Sequence, residues 1–183
     1  MGPHQRYLRG FYTGGTLADE ALFLLAPELG GIYSFDPADP AYRLVDPHTS
    51  VEHTIVDLGE DVFTVGRPHP MIDPSTRTER LERERDDASV AIWLLDCVLG
   101  YGSHPDPAGA MAPVIAAAKA AATERGGNLA VIASITGTAG DPQNRAAQQQ
   151  TLEGAGVVVM PSNYQAAMLA LRIMRRRQEG GAQ

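Results

Sequence analysis

The chain has 183 residues, of which 44% are hydrophobic and 20% are charged, and this composition is typical of one compact domain over residues 1–183. The single cysteine, Cys97, excludes an internal disulfide framework and a multi-cysteine metal site, which favours a reducing cytoplasm. The net charge of −7, without a basic stripe interleaved with aromatic residues, argues against nucleic-acid binding. No apolar run approaches the ~20 residues that cross a bilayer, so we expect a soluble protein with no membrane partner.

Apolar runs of strand length alternate with helical patterns along the chain. The predicted strands cover residues 8–13, 53–58, 90–98, 129–135 and 157–160. The predicted helices cover residues 17–25, 75–86, 108–124, 143–153 and 163–177, with Pro27, Gly30 and Gly31 expected to end the first. This alternation predicts an α/β fold, a doubly wound parallel sheet of five strands with helices on both faces.

Three segments carry more specific expectations. Residues 34–50 are rich in proline and aspartate, which predicts an irregular surface excursion rather than a helix or strand. Residues 75–86 alternate in charge, with Glu79 and Arg83 four residues apart, and this pattern predicts a solvated helix face. Cys97 lies inside an apolar strand, where it is expected to be a small buried hydrophobe rather than a nucleophile.

Five loops follow the predicted strands, and we expect them to gather at one edge of the sheet. Doubly wound sheets bind ligands there, near the point where the strand order reverses. Glycines and hydroxyl side chains at helix starts leave backbone N–H groups free to hold phosphate or carboxylate, although ordinary turns and N-caps use the same residue types. The candidate phosphate-binding residues are Thr13, Gly14, Gly15, Thr16, Gly66, Gly100, Gly102, Ser103, Thr136, Gly137, Thr138, Ser162 and Asn163.

The loop of residues 66–74 contains the strongest catalytic candidates. Three prolines hold a cation, an imidazole and a carboxylate just before a predicted helix. Arg67 has the fork geometry to bind an oxyanion, and His69 is suited to act as acid, base or phosphoryl acceptor near neutral pH. In the alternative interpretation His69 is a hydrogen-bonded turn residue and Asp73 is the helix N-cap, with Pro74 as the first helical residue.

A second His-Pro sequence in the loop of residues 100–107 makes His104 a further catalytic candidate. A divalent metal held by His69, His104, Asp73 and Asp106 is an alternative, but the ligand spacing is not diagnostic and no metal is predicted. Mg²⁺ would enter only with a phosphate ligand. The Walker A, Gly-x-Ser-x-Gly and Gly-x-Gly-x-x-Gly patterns are absent, so ATP binding by this chain alone is not expected.

Five stretches of the sequence together carry a family resemblance. They are RGFYTGGTLADEA, VGRPHPMIDP, LDCVLGYGSHPDP, GTAGDPQ and MPSN, which begin at Arg9, Val65, Leu95, Gly137 and Met160. With them the chain resembles the C-terminal, CoA-ligase part of FdrA-family proteins, which are relatives of succinyl-CoA synthetase and ATP-citrate lyase. The resemblance covers about residues 9–172, nearly the whole chain, and GRPHPMIDP is its most specific string.

The resemblance implies a flavodoxin-like succinyl-CoA-synthetase domain, in which helix N-termini from two such domains face a phosphohistidine or phosphate. By this analogy the helices after residues 66–74 and 136–142 are the candidate phosphate holders. Residues 136–141 stand where the synthetase has its Gly-His-Ala-Gly phosphohistidine loop, and they contain no histidine. This departure counts against phosphohistidine chemistry of the succinyl-CoA type. Longer FdrA-like proteins also carry an N-terminal CoA-binding-like domain, which is expected here on a companion subunit.

FdrA-like proteins are also linked, with two companion subunits, to oxamate carbamoyltransferase activity in purine and allantoin breakdown. The resemblance therefore implies a subunit of a multi-chain enzyme of acyl-phosphate chemistry, either acid–thiol ligation or carbamoyl transfer. CoA or an acyl phosphate is the candidate cofactor, and the substrate is expected to be a small anion. The alternative is a non-catalytic anion-binding or assembly module. The candidate partners are a CoA-binding-like or other companion subunit and a second copy of this chain.

Overall fold

The computed structural model describes residue 2 and residues 4–180, so the single-domain prediction for residues 1, 3 and 181–183 lies outside the described residues. The strands are β1 (Tyr7–Tyr12), β2 (Thr54–Asp57), β3 (Val90–Val98), β4 (Ala130–Thr136) and β5 (Val157–Met160). They form a parallel sheet in the order β2-β1-β3-β4-β5. This confirms the predicted α/β fold, and the order reverses between β1 and β3, as in flavodoxin-like folds.

Helices cover both faces of the sheet. They are α1 (Gly15–Leu29), α2 (Asp61–Thr64), α3 (Ser75–Glu84), α4 (Pro107–Glu124), α5 (Arg145–Gly154) and α6 (Asn163–Gly180). One buried apolar cluster joins α1 and α6 to the sheet, and a second cluster on the other face joins α3, α4 and α5 to it. None of the helices in the described part of the chain is long and apolar enough to cross a bilayer.

The central strand β3 is apolar on both faces because helices cover both faces. Trp93 and Cys97 belong to the cluster under α3 to α5, while Ile92 and Leu94 belong to the cluster under α1 and α6. Burying a side chain of the size of Ile92 or Leu94 contributes about 1.5–3 kcal/mol to folding. Cys97 is unpaired and fully buried, which confirms the predicted buried hydrophobe, and burial raises the pKa of its thiol to about 12.

The predicted stop of the first helix at Gly30 and Gly31 is confirmed, whereas the expectation that Pro27 also ends it is wrong. Helix α1 continues through Pro27 to Leu29 and ends at Gly30, whose φ of 80° is left-handed. Proline inside a helix costs one backbone hydrogen bond, but α1 packs against α6 and β2, and this packing outweighs the local preference. The backbone N–H groups of Gly30 and Gly31 both donate to the carbonyl of Ala26, which closes the last turn.

The segment of residues 34–50 contains one element that the sequence did not predict. A 3-10 turn forms at Pro40–Tyr42, and the carboxylate of Asp39 accepts a hydrogen bond from the N–H of Ala41 at its start. The side chain of Leu44 is buried in the core. The segment is therefore tied to the domain at Leu44 and at Tyr42, whose hydroxyl donates to the carbonyl of Gly30 at 2.6 Å.

Helix α3 corrects the prediction of a solvated charged face for residues 75–86. Arg77, Arg80 and Glu84 are buried, although the outer residues of the helix are exposed. Glu79 forms its ion pair with Arg67 rather than with Arg83. The charge pattern alone did not show this, because the partners of the buried arginines come from other parts of the chain or from the same inward face.

Candidate functional site

Three of the five predicted loops are tied together at the carboxyl ends of the strands. The backbone N–H of His104 donates to the carbonyl of Met71 at 2.7 Å, which joins the loop after α2 to the loop after β3. The side chain of Gln143 accepts from the N–H of Gly100 at 3.1 Å and donates to its carbonyl at 2.8 Å. These bonds place the loops after α2, β3 and β4 beside one another, as the topology predicts.

Helix α1 begins differently from the other long helices. Its N-cap, Gly14, has no side chain, and the N–H groups of Gly15 and Thr16 have no hydrogen-bond acceptor among the described residues. Helices α3 to α6 each have a side-chain acceptor at or just before their first residue. The acceptor and donor pairs are Asp73 with Ser75, Asp106 with Gly109, Asn144 with Ala147, and Ser162 with Gln165.

The open helix start therefore differs from the two that the family resemblance implies. The helices after residues 66–74 and 136–142 are α3 and α5, and a side chain accepts from an early N–H group of each. In the loop before α5, the N–H and hydroxyl of Thr138 both donate to Asp141. Among these helices, α1 is the one whose first turn receives no side-chain acceptor, which leaves its early N–H groups open to an external anion.

His69 has the geometry of a turn histidine. Its Nδ1 accepts a hydrogen bond from the N–H of Met71 at 3.2 Å, so the neutral ring carries its proton on Nε2. The Nε2 atom packs against Gly59, where an added Cβ would come within 2.3 Å of it. His104 repeats the motif, because its Nδ1 accepts from the N–H of Asp106 at 3.1 Å. In both histidines Nε2 is the ring nitrogen that takes no part in the turn hydrogen bond.

Asp57 connects His69 to the open start of α1. An added Cβ on Gly15 would lie 3.1 Å from Oδ2 of Asp57, and one on Gly59 would lie 3.1 Å from its Oδ1. Burial raises the pKa of Asp57 and the charge of Asp96 raises it further, while the N–H of Gly59 and the nearby His69 lower it. The sequence analysis missed Asp57, although its position at the end of a predicted strand was the available signal.

A buried ion pair fills the crevice where the strand order reverses. Arg77 reaches across the end of β3 and places Nη2 at 2.9 Å from Oδ1 of Asp96, and Oδ2 of the same carboxylate accepts from the N–H of Thr13 at 3.0 Å. The cavity that remains beside Arg77, Thr13 and Pro74 measures about 10 Å³. That volume holds a single water molecule at most, so the crevice has no room for a phosphate.

Arg67 lies apart from this rim group. Its guanidinium binds the carboxylate of Glu79 through both Nη atoms, at 2.8 and 3.1 Å, and Nη1 also lies 3.4 Å from the hydroxyl of Thr76. The pocket that Arg67 lines does not include His69. The prediction that Arg67 grips an oxyanion stays a prediction, and its geometry here is that of an arginine fork holding a carboxylate.

Several other candidate residues have identifiable roles in holding the loops. Asn163 accepts from the hydroxyl of Tyr12 at 3.1 Å and donates to the carbonyl of Leu17 at 2.9 Å, which ties α6 to α1. The left-handed φ values of Gly66 and Gly102, 73° and 87°, favour glycine for their backbone conformation. The remaining candidates are Ser103, whose N–H donates to Gly100, and Thr136 and Gly137, which follow each other at the end of β4.

The alternative metal site does not assemble in the described part of the chain. No group of three or more histidine, cysteine, aspartate or glutamate residues lies close enough there to hold an ion. Asp73 accepts from Ser75, and Asp106 accepts from Gly109 and from the side chain of Gln148. Both carboxylates therefore take part in helix capping.

The fold and this rim define a doubly wound α/β domain in which α1, alone among the long helices of the described residues, begins without a side-chain cap, beside a histidine and a carboxylate. The CoA-ligase family model matches residues 11–173, and the chain belongs to that family. The chain is 42% identical over 179 residues to the uncharacterized protein YahF of Escherichia coli strain K12. That match covers 98% of this chain and 35% of YahF, so the chain spans about a third of the length of this relative.

Proposed function

We propose that this chain is a CoA-ligase-type subunit of a multi-chain, FdrA-like enzyme of acyl-phosphate chemistry. Membership of the CoA-ligase family supports an acyl-CoA-ligase-like subunit. The observation that carries the proposal is the open start of α1, where the N–H groups of Gly15 and Thr16 have no protein acceptor. Backbone donors at a helix N-terminus hold phosphate without a protein cation.

The negative charge of Asp57 beside the start of α1 requires that a bound phosphate bring a compensating positive charge. The carboxylate of Asp57 lies against Gly15 and would repel a phosphate bound there. Asp96 is also near, but Arg77 neutralises it. A Mg²⁺ ion that arrives with the phosphate would offset the charge of Asp57, since carboxylate and phosphate oxygens are the ligands that Mg²⁺ prefers. In this proposal Asp57 is the protein's contribution to holding such an ion.

His69 is the proposed acid or base of the site. The N–H of Met71 fixes Nδ1 as an acceptor, so the ring presents Nε2 toward Asp57 and Gly59. An imidazole held in one orientation can donate a proton to the departing phosphate or take one from the attacking group. His104 has the same turn geometry in the neighbouring loop and is the second candidate for proton transfer.

A companion subunit is proposed to cover the rim. Ile72, Tyr101 and Tyr164 are large apolar or aromatic side chains that are exposed on loops or helix starts at the carboxyl end of the sheet. Exposed aromatic residues around a shallow polar site are typical of an interaction surface. The companion would exclude water from the phosphate and supply the CoA-binding-like domain.

The proposal is tested by purifying the chain from its native cells and identifying what accompanies it. The eluate is assayed with ATP, CoA and carboxylic acids, and separately with carbamoyl phosphate. We expect a companion subunit and turnover in one assay, which also decides between acid–thiol ligation and carbamoyl transfer. Recovery of the chain alone and without turnover would contradict the proposal.

A matched pair of variants tests the open helix start in the active complex. Gly14 has extended backbone angles that other residues adopt, and the nearest atom to an added Cβ is Oδ2 of Asp96 at 3.8 Å. Gly14→Asp places a capping carboxylate on the N–H groups of α1 and should reduce turnover on the order of 100-fold. Gly14→Ala leaves those groups open and should retain most activity. Equal activity of both variants would refute phosphate binding at α1.

The second candidate function is a non-catalytic anion-binding or assembly module. It is favoured by the engagement of Nδ1 of both His69 and His104 in turn hydrogen bonds. In that case the double variant His69→Asn, His104→Asn leaves the complex fully active, whereas the catalytic proposal expects loss of turnover with the complex intact.

A further inference from the structure

A second pocket lies away from the open start of α1. Its volume is about 230 Å³, and its walls come from α2, α3 and the segment that contains His48. Neither His69 nor the start of α1 lines it. The pocket is smaller than a drug-sized site and fits a ligand of only a few non-hydrogen atoms.

The pocket carries an excess of positive charge on a protein that is acidic overall. Three arginines, Arg67, Arg80 and Arg83, line the pocket together with a single carboxylate, that of Glu79. Arg80 is buried and is already bound by Glu84 and the hydroxyl of Ser50. Arg83 is exposed, and no residue in the described ranges forms a hydrogen bond or ion pair with it. One arginine charge is therefore available to a ligand.

The floor of the pocket is apolar. Leu58 and Phe63 are buried, and the rings of His48 and Phe63 form a T-shaped pair with 5.3 Å between ring centroids. Val65 lies at the mouth and is 83% exposed. A ligand that fills this space gains from burying an apolar group on the floor while its charged end stays among the arginines.

The pocket already holds one carboxylate, that of Glu79, in the position that the carboxylate of a ligand would take. The carboxylate of Glu79 lies in the fork of Arg67 at 2.8 and 3.1 Å, which is the bidentate geometry of arginine–carboxylate recognition. The bond to Arg67 lowers the pKa of Glu79, and Arg83 lowers it further. The carboxylate of a ligand that enters beside Arg83 can form the same kind of arginine–carboxylate bond. It also competes with Glu79 for the guanidinium of Arg67.

We propose that this pocket binds a small organic carboxylate with a short apolar chain, with the carboxylate between Arg67 and Arg83 and the chain on Phe63 and Leu58. The proposal stands apart from the function proposed for the open start of α1, because the two sites share no lining residue. Binding here is independent of phosphate, CoA and any companion subunit, and can be measured on the isolated chain.

The probes separate the charge of the ligand from its apolar part. Butyrate, acetate, butylammonium and inorganic phosphate are titrated into the ¹⁵N-labelled chain, and amide shifts are followed by NMR. We expect butyrate to shift amides around Phe63, Arg67 and Arg83 with a Kd on the order of 1 mM. Acetate should bind about tenfold more weakly, since it lacks two methylene groups. Butylammonium should not bind.

Matched variants locate the site. Val65→Asp adds a negative charge at the mouth and should abolish the butyrate shifts. Val45→Asp makes the same change at a fully exposed valine outside the pocket and should leave them unchanged. Arg83→Gln should weaken binding about two- to fivefold, whereas Glu79→Gln removes the internal competitor and should strengthen it by a similar factor.

Three results would overturn the proposal. The first is the absence of butyrate shifts at the pocket, and the second is equal butyrate affinity of the Val65→Asp and Val45→Asp variants. The third is binding of inorganic phosphate as tightly as butyrate, which would show an anion site that does not use the apolar floor. Loss of phosphate-dependent turnover in Gly14→Asp has no bearing on these results, so the two proposals fail separately.

Discussion

Two arginine–carboxylate pairs, each with one residue on helix α3, use the same chemistry in different surroundings. The side chains of Arg77 and Asp96 are 4% and 0% exposed, whereas those of Arg67 and Glu79 are 45% and 40% exposed. The buried pair closes the crevice at the end of β3. Because Asp96 also accepts from the N–H of Thr13, the pair ties α3 to the start of the loop that follows β1. The exposed pair lines an open pocket. Burial thus separates an arginine that holds the fold together from one whose ion pair is exposed to solvent at the surface of a pocket.

Further ion pairs lie on the buried side of α3. The carboxylate of Glu84 accepts from Arg9 at 3.3 Å and from Arg80 at 3.1 Å, so one carboxylate serves two buried arginines. Arg9 also pairs with Asp87 at 3.1 Å. Buried ions of this kind are strongly destabilising once a partner is removed, because the remaining charge is left without compensation.

The largest expected effect is that of Asp96→Asn. The substitution keeps the shape of the side chain but leaves Arg77 buried without its negative partner, which should cost about 3–5 kcal/mol of unfolding free energy. Urea denaturation measures the loss. Asp86→Asn breaks an ion pair between exposed side chains and is the control expected to leave stability unchanged. A similar stability for both variants would contradict the distinction between buried and exposed pairs.

Glu84→Gln should have the next largest effect. The amide can still accept hydrogen bonds, but it no longer compensates the charges of Arg9 and Arg80, and we expect a loss of about 3 kcal/mol. Glu82→Gln changes an exposed glutamate of the same helix and should have no effect on the urea midpoint. If the two variants unfold at the same urea concentration, the buried group does not depend on the charge of Glu84.

The pH dependence of stability should show the cost of charging a buried histidine. Burial and, to a smaller degree, the charge of Arg9 lower the pKa of His53 to about 4, and its Nδ1 accepts from the N–H of Leu8. The unfolded chain therefore binds a proton before the folded chain does, and stability falls as the pH drops from about 6.5 to about 4. The loss from this group is at most about 3 kcal/mol.

The variant His53→Gln isolates this contribution. Its unfolding free energy is compared with that of the unsubstituted chain across the same pH range, so that other titrating groups cancel. We expect the stability advantage of the unsubstituted chain to shrink toward low pH. An advantage that stays constant would mean that His53 is protonated in the folded protein at the same pH as in the unfolded one.

The smallest effect on stability is expected for Arg67→Gln. Its ion pair with Glu79 is exposed to solvent on both sides, and exposed pairs contribute little to folding. The urea midpoint should not change, while the butyrate shifts at the second pocket should weaken. A large loss of stability would show that Arg67 belongs with the buried arginines after all.

The elements were predictable where a local pattern determines the structure. The apolar run Val90–Val98 forms the strand that the sequence predicts, with the same bounds, because a strand buried on both faces needs apolar side chains at every position. The buried charges of α3 were not predictable in this way. Arg77 finds Asp96 19 residues away, and the alternation of charge in residues 75–86 is equally typical of a solvated helix.

The candidate site also has features that the sequence predicts and features that depend on tertiary contacts. The loops and their glycines were visible in the sequence, and their place at one edge follows from the parallel sheet. Which helix start is open was not visible, because it depends on neighbouring side chains. The side chains of Asp106 and Gln148 accept hydrogen bonds from the first N–H groups of α4. Gly14 has no side chain that could accept from the first N–H groups of α1. The pairing of Arg67 with His69 in one site was a sequence expectation that the separate pocket of Arg67 does not support.

The sequence by itself determined the α/β class, the five strands and the set of loops, because these depend on periodicity and on residues close together in the chain. The tertiary structure decided which arginines are buried, which of the long helices described begins without a side-chain cap, and which histidine nitrogen is left outside the turn hydrogen bonds. Those properties depend on contacts between residues far apart in sequence, and on how completely each charged or polar group is removed from water.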